Sequence, residues 1–346
     1  MDPIRDIREK ADFSKLTFSN YKKTEVQKEI LKAYKENNIE SSCYWCAELI
    51  CSGHIIELWE IMFMYISKFI HIGNPKLCIY ISTCIDKFKK IIDSDKLHDE
   101  LMFRNNIEIR KLFSEISVVL CESKRKHSLN DNNKISLLDF DMSNIGNKLK
   151  APHINYITNI FKPKDTKETY IALNELYYNI TENKNGMMAC YWIDWIIEFD
   201  IMMRKNKKKN LCERRSYIPV PSDEQINIIW MVWDVFFDVA KKEIEKKIIT
   251  SLLNIFCLKF SKGIPKKRKY IFYHIILLFT EKNDYSTNII SNNDKINKVK
   301  DNINRIYSEI KKGEILPKSD YLFMNIKSNK DKSIEKMKIL DNMSSY

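Results

Sequence analysis

The sequence predicts an all-α protein, and three observations carry that prediction. Apolar residues recur at three- and four-residue steps along nearly the whole chain, the spacing that lines one face of a helix. Period-two alternation, the mark of a half-buried strand, is hard to find. Only 6 Gly and 8 Pro occur among 346 residues, too few for the tight turns of a β-rich or Rossmann-type architecture. A hydrophobic fraction of 44% is ample for a packed core, which excludes global disorder.

Each element follows from that spacing. Val26, Ile30, Leu31 and Tyr34 make one face of a first helix, which Asn37-Asn38 ends. Residues 41–52 predict a second helix stopped by Gly53, and residues 55–71 a third. Gly73-Asn74-Pro75 breaks the chain, and proline suits the first turn of the helix that follows because its missing N–H would be unpaired there anyway. Residues 76–92 and 97–120 complete an amino-terminal group within 1–122. Residues 123–150 are polar, rich in Asn and interrupted by Gly146, and read as a linker. A second group, 151–282, predicts helices over 165–181, 187–203, 223–247, 248–260 and 266–279. The tail, 283–346, is basic and polar. It carries one heptad-like run, Ile296, Val299, Ile303, Ile306 and Ile310, before Gly313 and Pro317.

The two groups share a pattern, and the expected architecture is two helical bundles related as a pseudo-repeat. Cys43-Tyr44-Trp45 and Cys190-Tyr191-Trp192 each follow an amphipathic helix and an Asn-containing turn. Gly73-Asn74-Pro75-Lys76 and Gly263-Ile264-Pro265-Lys266 each introduce a later helix. Tyr44-Trp45, Ala47, Leu49, Gly53, Ile72-Gly73 and Pro75 also carry a resemblance. Over residues 26–92 the chain resembles the carboxy-terminal helical region of clamp-loader-like AAA ATPases of the RarA/MgsA type. The chain departs from that family in having no GxxxxGK[ST] loop and in placing Lys68-Phe69-Ile70-His71 before the turn. The resemblance implies a helical collar used for oligomerisation at replication machinery, without nucleotide hydrolysis.

Motifs for chemistry are sparse. Cys43, Cys46, Cys51 and His54 form C-x2-C-x4-C-x2-H, a zinc-like spacing. On a continuous helix, however, Cys43 and Cys51 would stand about 12 Å apart along the axis, too far for one ion. No metal and no cofactor is expected. The nine Cys lie in apolar runs and read as buried reduced thiols. Asp194 and Glu198, four apart on an apolar helix, share a face, as an ion-paired or solvated stripe or as an acid–base pair. Asp139 and Asp141 fall in the linker. No nucleophile elbow, kinase set or HExxH occurs, so a non-enzymatic protein is expected.

Charge is more informative. Residues 1–150 hold 24 Lys+Arg and 22 Asp+Glu, whereas the other 196 hold 34 and 24, so the net +12 sits mainly in the second part. The excess gathers in Arg204, Lys205, Lys207, Lys208 and Lys209, then Arg214 and Arg215, and in Lys262, Lys266, Lys267, Arg268 and Lys269. Such clusters attract phosphates without reading bases. They are expected to contact nucleic acid or another polyanion, or else to be solvated loops in a Lys-rich composition. Trp230, Trp233 and Phe237 share a helix face and, with the heptad run, are the candidate anchors for a protein partner or self-association. The alternative for both is burial within this chain.

No signal peptide is expected from the charged stretch at residues 1–19, and no run of 18 apolar residues predicts membrane insertion. The expectation is a soluble intracellular helical scaffold or oligomerisation protein, associated with DNA replication or packaging through basic loops. The Ile, Lys and Asn excess matches an AT-rich genome, and a structural component of a large DNA virus particle is the alternative. A divergent metal-dependent enzyme using Asp194 and Glu198 is the third.

Overall fold

The computed structural model of the chain describes residues 2–127, 135–208 and 211–316. The fold is all-α. Among the described residues the only β-type pairings are two isolated bridges, Leu16 with Lys22 and Leu211 with Asn227. The helices run α1 (Lys23–Lys35), α2 (Ile39–Cys51), α3 (Ile55–Tyr65), α4 (Leu77–Ser94), α5 (Ile107–Glu122), α6 (Met142–Ile145) and α7 (Tyr170–Thr181). They continue as α8 (Gly186–Lys205), α9 (Ile229–Val239), α10 (Glu243–Cys257), α11 (Ile264–Lys267), α12 (Lys269–Thr280) and α13 (Asn293–Lys311).

Side-chain caps set several boundaries. Asn38, Asn185 and Asn292 each accept a hydrogen bond from a backbone N–H of the first turn of α2, α8 and α13, satisfying a donor that the helix itself cannot. Several boundaries differ from the sequence expectation; the helix expected from residue 223, for one, begins at Ile229. The stretch 97–120 is not one helix: a 3-10 turn, Glu100–Asn105, gives way at Asn106, whose side chain caps α5 through the Ile109 N–H. Likewise the break expected near residue 248 falls at Ala240, where α9 ends, and Glu245 accepts from the Lys242 N–H to start α10. Beyond Tyr65, α3 continues as a wider π turn, Ile66–Ile70, and a 3-10 turn, His71–Gly73.

Packing crosses the expected boundaries. α1 and α5 lie on α2, and α7 and α12 on α8, but α4 packs on α10 and α12 packs on the turns Ile66–Ile70 and His71–Gly73. The buried apolar residues form one continuous cluster that includes Trp59 and Phe113 as well as Trp192 and Trp233. Residues 135–150 also dock: Phe140 sits 5.4 Å from Trp195 and 5.8 Å from Phe199, and the Trp195 indole donates to the Asp139 carbonyl.

The heptad run is spent inside this chain, which corrects its assignment as a partner seam. α13 lies on α5 and α2, burying Ile296, Ile303 and Ile310, while Val299 and Ile306 pack half-buried against the same core. Lys300–Glu115 and Lys295–Glu122 ion pairs, at 2.8 and 2.6 Å, hold its flanks, and Arg110 lies over the Tyr307 ring. Trp230 and Trp233 are corrected in the same way. Both are fully buried, Trp233 among Phe236, Phe256 and Phe272, so neither presents an indole face to a partner. Phe237 is half-buried and packs against Tyr217. Residues with this much apolar area complete a core wherever enough helices surround them.

Candidate polyanion interface

α8 is buried through its middle and is exposed at its two ends, at Met187 in the first turn and at Arg204 and Lys205 in the last. Cations there oppose the partial negative charge of the helix carboxyl end. Lys207 adopts a left-handed conformation, φ 56°, which ends the helix and lets the Lys208 N–H bond back to the Met203 carbonyl. Facing this end is the connection from α10 to α11, where Pro265 occupies the first turn of α11. Between them lies an open cleft of about 580 Å³. Arg204, Lys205 and Asp200 come from α8, and Lys262, Lys266 and Lys267 from the opposite wall, with Ile197, Ile201 and Pro265 as the apolar floor. Two basic clusters distant in sequence thus share one cleft, five cations against a single lining carboxylate.

Several of these cations are held by ion pairs. Arg204 meets Asp200 at 2.9 Å, Lys266 meets Glu198 at 2.6 Å, and Lys267 meets Glu60 at 3.1 Å. Burial raises the pKa of Asp200, and the nearby Arg204 and Lys262 charges only partly offset it. Lys205, Lys207, Lys208 and Lys262 are exposed, with no ion pair among the described residues. The sequence reading missed Asp200. Its spacing of four from Arg204 was the available signal.

Not every basic candidate belongs to this surface. Lys209 lies outside the described residues. Arg214 is exposed and donates to Gln225 at 2.6 Å, but it does not line the cleft. Arg215 is corrected from a phosphate-binding to a structural residue. It is 1% exposed, pairs with Asp165 at 2.6 Å and Asp234 at 2.7 Å, and donates to the Glu213 carbonyl. Burial pushes the Asp165 carboxyl up, but Arg215 and two backbone N–H groups, of Lys162 and Glu213, hold it below its ordinary value. Arg268 is corrected likewise. It is 3% exposed, bonded to Glu60 and to the carbonyls of Ile255, Phe256 and Leu258. Lys269 is half-buried against Asp194 at 3.2 Å. Residues on a helix step by about 100°, so a run of four cations cannot keep all of them on one face.

Comparison with protein-family models, with curated proteins and with solved structures returns no match. Elsewhere, Asp194 accepts from Tyr273 as well as Lys269, while Glu198 is engaged by Lys266, so the two carboxylates sit in separate ion pairs. Cys43, Cys46 and Cys51 all lie buried on the continuous α2, and His54 instead bonds the Phe13 carbonyl at 2.7 Å. Burial raises the Cys46 thiol to about 11. Among the described residues, no group of three or more His, Cys, Asp or Glu is placed to hold a metal ion.

Proposed function

We propose that this chain is a non-enzymatic helical scaffold that holds nucleic acid by its phosphate backbone in the cleft between α8 and α11. The observation that carries the proposal is the convergence of Arg204, Lys205, Lys262, Lys266 and Lys267 on one concave surface. A cleft lined by one sign of charge focuses its field and concentrates counter-charged polymer. The pairs with Asp200, Glu198 and Glu60 do not block this. In each pair the cation stays partly exposed, although Asp200 and Glu60 are largely buried, so it meets a phosphate without leaving its partner. The proposed contact is with backbone phosphates rather than base edges, and is one of charge and shape. The resemblance of residues 26–92 to a clamp-loader collar supports placing the scaffold with replication or packaging machinery.

Binding of labelled duplex and single-stranded DNA, followed by anisotropy over a salt series, tests the proposal. Each lost phosphate contact should lower the slope of log K against log salt by about 0.9. Charge reversal at Lys205, Lys262 and Lys266 together should remove most binding, whereas Arg214→Glu, outside the cleft, should leave it nearly unchanged. Absence of binding at low salt, or equal loss in both variants, overturns it.

A further inference from the structure

A second cleft, of about 460 Å³, opens where the amino-terminal helices meet the α10–α12 region. Its walls are aromatic and aliphatic. Trp59 and Phe63 come from α3, Phe88 from α4, Phe103 from the turn before α5, and Leu258 and Ile264 from the opposite side. The aromatic wall cannot fold inward to fill the space. Trp59 is 5.8 Å from Phe88, Phe88 is 5.6 Å from Phe103, and Phe113 braces both Trp59 and Phe88 from behind, at 4.9 and 5.7 Å. An apolar cleft kept open by rigid neighbours forgoes dispersion contacts along its whole lining, and an apolar guest restores them.

The charges around it select the guest's other end. Lys89, Lys259, Lys267 and Arg268 line the cleft against two carboxylates, Glu60 and Glu100. Both carboxylates are already engaged, Glu60 by Arg268 at 2.6 Å and Lys267 at 3.1 Å, Glu100 by Lys10 at 3.1 Å. Lys89 and Lys259 are exposed. The surplus charge is positive, on residues whose long stems can follow a guest while their ammonium groups stay in water.

We propose that the cleft walled by Trp59, Phe88 and Phe103 binds an amphiphilic anion of the fatty-acid class, its hydrocarbon chain against the rings and its carboxylate among the lysines. Because the walls come from both halves of the chain, the guest braces them together. It binds the folded state alone and raises its stability by mass action.

Titration of the delipidated full chain with dodecanoate and with the equally long cation dodecyltrimethylammonium, both below micelle formation, tests this. Dodecanoate should bind once per chain and raise the melting temperature saturably, with the cation about tenfold weaker or worse. Ile92→Trp, which projects a ring into the cleft from a half-buried position, should abolish binding. The exposed double substitution Lys89→Glu/Lys259→Glu should weaken dodecanoate about tenfold and favour the cation. Equal effects of the two amphiphiles, or unchanged dodecanoate affinity in the double variant, overturn the proposal whether or not the tryptophan variant folds.

Discussion

At Gly73 the chain leaving α5 passes so close that a Cβ would lie 2.1 Å from the Lys124 carbonyl oxygen, whereas at Gly263 a Cβ would meet nothing within 4 Å. The two glycines open the same Gly-x-Pro-Lys break in sequence. The first break is buried and works as a junction. Lys126 donates to the Phe69 carbonyl, and Asn74 reaches both Ser123 and the Ile289 carbonyl. His71 sits there at φ 31°, its ring 6.4 Å from that of His274 on α12. In the second break Ile264 and Pro265 are buried, while Gly263 and Lys266 are exposed and form part of one wall of the basic cleft. Identical punctuation serves opposite purposes because a turn's role depends on what packs over it. One turn is closed by backbone and histidine, while the other places lysines at the edge of an open cleft.

Gly73→Ala should show the largest effect. No flexible side chain can yield here, because the clashing atom is backbone, and overpacking of this kind reaches the upper end of its usual cost. We expect a loss of about 4 kcal/mol in urea unfolding. A loss below about 1 kcal/mol would show that residues 124–126 can lift away and that the junction is loose.

Arg268→Met comes next and divides the second break into an inner and an outer part. Removing a buried guanidinium leaves Glu60 with Lys267 alone and takes a donor from three backbone carbonyls, at a cost of about 3 kcal/mol. Lys267→Ala, whose pair with the same Glu60 is largely exposed, should cost under about 1 kcal/mol in the same assay. Equal effects would remove the distinction between cations that hold the fold and cations that stand at the surface.

That distinction marks where sequence stops being informative. The helices are legible because burial of one face imposes its period directly on the residues. The start of α5 is not, since apolar spacing runs unbroken past Asn106 and only the geometry of its side chain makes it a cap. The break at Ala240 is hidden for the same reason, having neither Gly nor Pro to announce it. The basic clusters were visible as composition, but Arg215 and Arg268 look no different in sequence from Lys262 and Lys266. Which of them turns inward is decided by Asp165 and Glu60, 50 and 208 residues away. The aromatic cleft was invisible, because its two walls meet only once the chain has folded.

The histidines of the first break give it a loss of stability on acidification that has no histidine counterpart at the second. Burial, aided by the neighbouring His71, pushes His274 down to about 3. Burial also lowers His71 to about 4, against the raising effect of the bond its ring donates to the His127 carbonyl. In the unfolded chain both titrate near 6.5. Below that value the unfolded state gains protons that the native state refuses, so stability falls as pH drops and is unaffected by these groups above it. Between pH 6.5 and 4.5 each contributes about 2 kcal/mol of loss, before buried carboxylates such as Glu60 begin to add theirs. His274→Phe should flatten that part of the stability profile by about half. A profile that stays as steep would place the titrating groups outside the junction.

Gly263→Ala is the smallest effect and has the opposite sign to the first. Gly263 has φ −87° and ψ −17°, a conformation open to any L-residue, and an added methyl would meet open space. Alanine there restricts the unfolded chain without straining the folded one, so stability should rise by about 0.4–1 kcal/mol. The methyl would stand at the rim of the basic cleft without displacing a cation, so DNA affinity and its salt slope should stay where they were. A destabilised Gly263→Ala chain would mean that something packs on this turn after all, and the two breaks would then differ in degree rather than in kind.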